Sequence, residues 1–279
     1  MYPTIVDFGE LAIGGVRIPL AIHSFGLMLA LAFLTAMYVV QREFARKGIN
    51  PQLASSVTLW GALGAIVGAK LYSALQDGRL NLSELFSNSG LVWYGGLIGG
   101  VGVAFFVIYK SGAPMLSALD TFGMVLLLGY GVGRIGCLLA GDGDYGPPSD
   151  LPWAMAFPNG TVPTDVPVHP TPIYETLMSW AAFGVLWGIR KRKENIHGWL
   201  CGASLTLAGI ERFIAEFWRI NPKVLWGLSS AQFFSVLLVG VGVWIVYWVT
   251  HRPAPTTTPA QETKPTPAPA RKATKRKRR

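Results

Sequence analysis

The stretch Gly133-Arg134-Ile135-Gly136-Cys137-Leu138-Leu139-Ala140-Gly141-Asp142 closes a long apolar run and carries an arginine and then an aspartate out of its end. An ionised side chain at bilayer depth costs roughly 2.5–3.5 kcal/mol on insertion scales, so it persists where it faces a polar cavity or an opposite charge. Arg134 is a functional candidate if the run around it lies in lipid.

Composition says that it does. Hydrophobic residues make up 51% of the 279-residue chain and charged residues only 14%, a balance foreign to soluble domains. Windows of about 20 apolar residues cross roughly 30 Å of hydrocarbon as helices. Seven such windows lie near Leu20–Val40, Ser55–Leu75, Gly90–Tyr109, Leu119–Leu139, Ile173–Ile189, Gly198–Phe217 and Ala231–Thr250. The expected fold is therefore an all-α, polytopic membrane helix bundle over residues 1–250, with external loops near 76–89, 143–172 and 219–230.

Basic residues set its orientation. Arg42, Arg46, Lys47, Lys110 and the Arg190-Lys191-Arg192-Lys193 run fall on one side, while the opposite loops hold little beyond Arg17, Arg79, Arg219 and Lys223. The positive-inside bias then puts the N-terminus outside and the C-terminus in the cytoplasm. No basic n-region precedes the first apolar run and basic residues follow it, so that run reads as a retained helix and not as a cleaved leader. Residues 251–279 are rich in Pro, Thr and Ala and end in a dense Lys/Arg run. They read as a disordered tail held near the anionic inner leaflet, with no nucleic-acid role assigned.

Cys137 and Cys201 fall in different spans and imply no disulfide framework, and His23, His169, His197 and His251 are scattered without metal-ligand spacing. No phosphate-cradling glycine loop is present, so the expected chemistry uses no cofactor and no metal. Small-xxx-small glycines mark helix contacts: Gly64 and Gly68, Gly95, Gly96, Gly99 and Gly100, and Gly184 and Gly188. Gly95-Gly96, just after Trp93-Tyr94, also suits close approach of backbone to a ligand.

Polar groups gather at the external end: His23, Tyr94, Arg134, Asp142, Tyr174 and Glu175, with Arg212, Glu216 and Arg219 at helical spacing. Each has a plain alternative. Arg219 and Tyr174 fit interfacial anchors, Lys70 can reach the interface on its long stem, His23 can be a hydrogen-bonded packing residue, and Arg212 with Glu216 can be a structural pair. Two separated guanidiniums nevertheless suit a lipid phosphate, and their contacts strengthen if that phosphate becomes a leaving group.

The motifs in order are His23-Ser24-Phe25-Gly26-Leu27-Met28, Gly95-Gly96-Leu97-Ile98-Gly99, Gly133-Arg134-Ile135-Gly136, Trp153-Ala154-Met155-Ala156-Phe157-Pro158, His169-Pro170-Thr171-Pro172-Ile173-Tyr174-Glu175 and Arg212-Phe213-Ile214-Ala215-Glu216-Phe217. Together they resemble the successive blocks of bacterial prolipoprotein diacylglyceryl transferases across residues 15–250. The resemblance implies a multi-pass enzyme of the bacterial inner membrane. It would move the diacylglyceryl group of phosphatidylglycerol onto the lipobox cysteine of prolipoprotein signal peptides, forming a thioether and releasing glycerol phosphate.

By the same resemblance, Arg134 and Arg212 match two essential arginines, Glu216 a partner carboxylate and Gly95-Gly96 a pair beside the active site. Gly141, in the Gly-Arg signature, and His169, Tyr174 and Glu175, in the block leading into span five, would help bind substrate. The signature departs from the family at Cys137, Ala140 and Asp142, with an extra residue before Gly146; Tyr94 stands where histidine is usual and Phe25 where tyrosine is common. Tyr94, Asp142 and His169 remain alternatives for deprotonating the thiol, and Cys137 reads as a packing residue. A divergent homologue with another acceptor, or a non-catalytic anionic-lipid transporter, would share the arginines. The transporter would more often show two half-sequence repeats, and no such repeat is visible.

A reporter fused after Thr250 is expected to read cytoplasmic, and one inserted between Ser149 and Thr161 external. Both on the same side would sink the seven-span arrangement.

Overall fold

The computed structural model describes residues 1–13, 16–76 and 93–252, with side chains described outside 10–20 and 93–94. Seven α-helices dominate among them: α1 (Ser24–Arg46), α2 (Gln52–Gln76), α3 (Trp93–Lys110), α4 (Met115–Ala140), α5 (Thr171–Ile189), α6 (Trp199–Ala215) and α7 (Ser230–Thr250). Of these, α1, α2, α4 and α7 are long and apolar enough to cross a membrane, and α3 carries a shorter apolar stretch over Gly95–Lys110. Leu27, Leu31 and Leu34 on α1, Leu59, Trp60 and Ile66 on α2, and Val236, Leu237 and Trp244 on α7 all face outward. Such a surface belongs in lipid, and the chain is a mostly helical membrane protein.

Three antiparallel hairpins were not expected from the sequence: β1 (Thr4–Ile13) with β2 (Val16–His23), β3 (Met155–Phe157) with β4 (Thr164–Val168), and β5 (Lys223–Leu225) with β6 (Leu228–Ser229). The first corrects a boundary, because Leu20–His23 end a strand paired from Thr4↔His23 to Ile13↔Val16 and α1 begins only at Ser24. Runs such as Val16–His23 are apolar whether helical or extended, so hydropathy alone does not separate the two. The expected loop at 76–89 lies, from residue 77, outside the described residues, as does the tail from residue 253.

Helix α4 is the hub, packed against α1, α5 and α6, while α2 pairs with α3 and α6 with α7. The α2–α3 contact is a glycine seam. A Cβ at Gly68 would overlap the Gly95 carbonyl oxygen and lie 2.9 Å from the Gly99 Cα. Such contacts let dispersion and backbone proximity hold helices together where no hydrophobic effect acts between them. Gly184 and Gly188, by contrast, have nothing within 4 Å, so a packing role fails for that pair. Helix α5 is instead tied to α4 by hydroxyls: Thr176 Oγ1 donates to Gly131 O at 3.1 Å and Ser179 Oγ to Leu127 O at 2.8 Å.

At the end of the bundle opposite Arg134, the buried Asp120 carboxylate of α4 accepts the backbone N–H groups of Gly198 and Cys201, both at 2.8 Å. A negative group on the otherwise unpaired donors of a helix N-terminus is favourable, and here it fixes the start of α6 against α4. Nearby, buried Glu43 binds Arg46 at 2.7 Å and Arg190 at 3.4 Å, joining the end of α1 to the end of α5.

Gly68→Val should force the α2–α3 seam apart and destabilise the detergent-solubilised protein by about 1–3 kcal/mol, the usual cost of overpacking. Thermal unfolding checks this, and an unchanged midpoint would mean that the seam contributes no stability.

Candidate functional site

Helix α4 ends where its last carbonyls find partners. Gly141, at φ +58°, turns the chain, and a Cβ there would come 2.7 Å from the Gly160 Cα. Thr161 N–H donates to Ala140 O at 2.9 Å and Val162 N–H to Gly141 O at 2.8 Å, so the loop after β3 caps the helix. The following turn is set by Asp142, whose Oδ1 accepts the Asp144 N–H at 3.2 Å. The Thr171 hydroxyl, at the start of α5, donates to the Asp144 carbonyl oxygen. Gly146 N–H donates to His169 O at 2.8 Å. These bonds hold Asp144 over the end of α4, one and a half turns or so above Arg134.

Arg134 is consequently surrounded. Its Nε pairs with Glu175 Oε2 and its Nη1 with Asp144 Oδ2, while Nη1 also reaches Cys137 Sγ at 3.2 Å. From α6, Arg212 Nη1 lies 3.3 Å from Glu175 Oε1 and its Nη2 lies 2.7 Å from Glu216 Oε2. Arg219 completes the group: Nη2 pairs with Asp144 Oδ1, Nη1 stands 3.6 Å from Glu175 Oε1, and Nε stands 3.9 Å from Glu216 Oε2. Asn221 Nδ2 donates to the other Glu216 oxygen at 2.7 Å. Glu175, 1% exposed, therefore receives three guanidiniums from two directions.

Arg134, Arg212, Glu216 and Glu175 thus come together as one cluster. Arg219 joins them and is no surface anchor, since its side chain is only 13% exposed and pairs with Asp144. It does so from extended backbone after α6 has ended at Ala215 and a short 3₁₀ turn has followed, not from a continuous helix face. The carboxylate that meets Arg134 in the loop is Asp144; Asp142 stands two residues back as the turn-former. Asp144 follows glycine in a polar loop, with no helical spacing to mark it, and its role emerges only from the fold.

The remaining candidates lie around this centre. His169 Nδ1 is 3.2 Å from the Tyr174 hydroxyl, which also accepts from Trp153 Nε1 at 2.7 Å, and the Tyr174 ring packs edge-on to Trp218. His23, exposed at the start of α1, has Nδ1 3.4 Å from Thr4 Oγ1. Gly95 and Gly96 both face α2, against Gly68 and Tyr72 and against Ala65 and Ala69, so helix packing accounts for their lack of side chains. Lys70 is buried in α2. The Tyr94 side chain lies outside the described residues.

Donor atoms of Cys137, Asp142 and Asp144 lie within 4.8 Å of one another. The set does not suit a cation, because Arg134 Nη1 contacts two of the three and Asp144 is shared between two guanidiniums. The arrangement suits an anion better. Arg134 Nη2 is buried without a hydrogen-bond partner, and Arg212 is the most exposed of the three arginines at 28%.

The sequence profile of prolipoprotein diacylglyceryl transferases matches residues 15–248. The chain belongs to that family. Among similar members of the prolipoprotein diacylglyceryl transferase family, the phosphatidylglycerol–prolipoprotein diacylglyceryl transferase of Clostridium tetani is 31% identical over 81% of this chain and 92% of its own length. The enzyme of the same name from Pseudomonas putida strain F1 is 30% identical over 93% of this chain and 99% of its own. That of Methylibium petroleiphilum is 31% identical over 84% and 94%. The matched region of this transferase family includes every arginine and carboxylate of the cluster.

Asp144 gives the cluster a pH signature. Burial alone would raise its carboxyl, but the hydrogen bond from Arg219 and the charge of Arg134 outweigh burial and hold it down to about 2. A depressed folded-state value contributes stability that is present above the unfolded pKa, near 3.9, and is lost as pH falls toward about 2. Unfolding midpoints followed from pH 5 to pH 2 should fall in the parent, and Asp144→Asn should start lower and fall less. Parallel curves would mean that the two ion pairs add nothing.

Proposed function

We propose that this chain transfers the diacylglyceryl group of phosphatidylglycerol to the lipobox cysteine of a prolipoprotein signal peptide, at the Arg134–Arg212–Arg219 cluster. The observation that carries the reading is the convergence of three arginines on Glu175 inside an apolar bundle, with Arg134 Nη2 left as an unused buried donor. Charges are not retained at such a place without a task or a partner. Here the partners balance the charge, since Asp144, Glu175 and Glu216 offset the three guanidiniums.

In the proposed reaction the phosphate of phosphatidylglycerol lies against Arg134 and Arg212, with Arg134 Nη2 as a ready donor and the more exposed Arg212 facing the lipid. Glu216 orients Arg212 and Glu175 holds all three guanidiniums in register. The sulfur of the incoming cysteine attacks the glycerol carbon that carries the phosphate. The S–C bond forms, the C–O bond breaks, and the electron pair goes to the phosphate oxygen, where charge increases. Planar guanidinium forks stabilise that oxygen more in the transition state than in the bound lipid, which is what lowers a barrier. Tyr174, held by His169 and Trp153, borders the cluster through Trp218 and suits the glycerol or the peptide.

The wider arrangement in this reading has seven spans, with α3, α5 and α6 crossing beside the four longest helices, the N-terminus outside and the basic tail inside. Such a protein would sit in the bacterial inner membrane with its site toward the external face. The exposed apolar flanks of α1, α2 and α7 support direct access of lipid from the bilayer.

Purified protein incubated with phosphatidylglycerol and a lipobox peptide should add the diacylglyceryl mass to the cysteine; an unmodified peptide would overturn the reading. Arg134→Ala and Arg212→Ala should each lower transfer roughly 100 to 1,000-fold, the usual loss when one preorganised charge contact is removed. Lysine should restore little, because it lacks the fork. An alanine variant inserted at normal levels with the parental rate would remove that arginine from the mechanism.

A further inference from the structure

Glu211 immediately precedes Arg212 on α6 and is 6% exposed. Its carboxyl lies within electrostatic reach of Glu175 of α5, Arg134 and Tyr130 of α4 and Arg212 of its own helix, with Ser179 of α5 beside it. Helix α7, packed on the other side of α6, carries no charged residue. Among the described residues no cation forms an ion pair with Glu211, whereas Asp144, Glu175 and Glu216 each hold two or more guanidiniums. It is the carboxyl of the cluster without an arginine.

Its hydrogen bonds tell which form it takes. Glu211 Oε1 is buried without a partner. The Ser179 hydroxyl gives its one proton to Leu127 O at 2.8 Å and has none left to donate to an ionised Glu211. An anion with a bare oxygen, sealed from water and beside the Glu175 carboxylate, is costly; a neutral acid is far less so. The site therefore stores one transferable proton, on the carboxyl of the cluster that no guanidinium pairs.

Resting on the transfer reaction argued above, we propose that Glu211 is its proton carrier. As the S–C bond forms and the C–O bond breaks, the electron pair stays on the phosphate and Glu211 gives that phosphate its proton. The thiol proton of the attacking cysteine then restores the acid. Atoms and charge balance: the thiol has lost a proton, glycerol phosphate has gained one, and the site ends as it began.

The test uses the full chain in detergent with phosphatidylglycerol and a lipobox peptide. Glu211→Gln keeps the size and the contact with Ser179 but has no transferable proton. It should lower kcat by roughly 100-fold or more while KM for phosphatidylglycerol moves by no more than about threefold. Glu211→Asp keeps the proton and should recover part of the lost rate, which separates proton loss from disturbed packing. Independently of activity, the infrared difference between parent and Glu211→Gln at neutral pH should contain the carbonyl band of a protonated carboxyl group. A Gln variant with the parental kcat, an Asp variant no faster than Gln, or a difference spectrum lacking that band would each overturn the assignment. A parent that leaves the peptide unmodified overturns the transfer reading and the carrier with it, and is told apart because no variant is involved.

Discussion

The ion pair between Arg134 and Glu175 is the constraint that the rest of the molecule serves. Both side chains lie inside an apolar bundle, one on α4 and the other on α5, and neither tolerates that position alone. Removing one partner of such a pair typically costs about 3–5 kcal/mol, because an uncompensated charge is left behind. The two helices are accordingly held in register by Thr176 and Ser179 hydroxyls on α4 carbonyls, a turn or so from the charges. The hairpin loop that caps α4 and the turn that carries Asp144 then close over the same pair from outside.

A second constraint acts at a distance. Asp120 fixes the beginning of α6 to α4, and α6 delivers Arg212 and Glu216 at its far end. Helices transmit such placement because their rise per residue is fixed, so an anchor at one end sets the height of side chains at the other. The α6–α7 contact is equally close: a Cβ at Gly202 would lie 2.8 Å from the Gly242 carbonyl oxygen. The cluster is thus positioned by backbone-level packing on one flank and by buried hydrogen bonds on the other.

The helical bundle was legible in the sequence because apolar runs of span length admit few alternatives. Arg134, Arg212 and Glu216 were legible for a related reason, since charges in such runs are conspicuous. The hairpins were not, because Val16–His23 is as apolar as a helix start and periodicity over eight residues does not discriminate. Asp144 and Arg219 were missed or misread for a different reason. Both sit on irregular backbone beyond a helix end: no spacing marks Asp144, and the helical spacing of Arg219 to Arg212 does not hold past Ala215. Glu211 was not legible as a separate group, because a carboxyl next to an arginine in sequence reads as that arginine's partner, whereas among the described residues the fold gives it none. The Gly95-Gly96 pair shows the converse: a motif read partly as a ligand contact turns out to face a neighbouring helix.

Asp144 has a consequence for selectivity. By bridging Arg134 and Arg219 it shares the cationic centre, so in the proposed reaction an incoming phosphate enters beside a resident anion instead of filling a vacant field. Entry beside a resident anion gains little Coulomb energy, and small ions such as chloride or inorganic phosphate bring nothing else to tip it. A diacyl lipid is brought to that depth by its own hydrocarbon, which holds it in the bilayer at about 0.8 kcal/mol per methylene group removed from water. In that reaction the acyl chains decide which anions arrive, and the arginines meet only those that the membrane itself delivers.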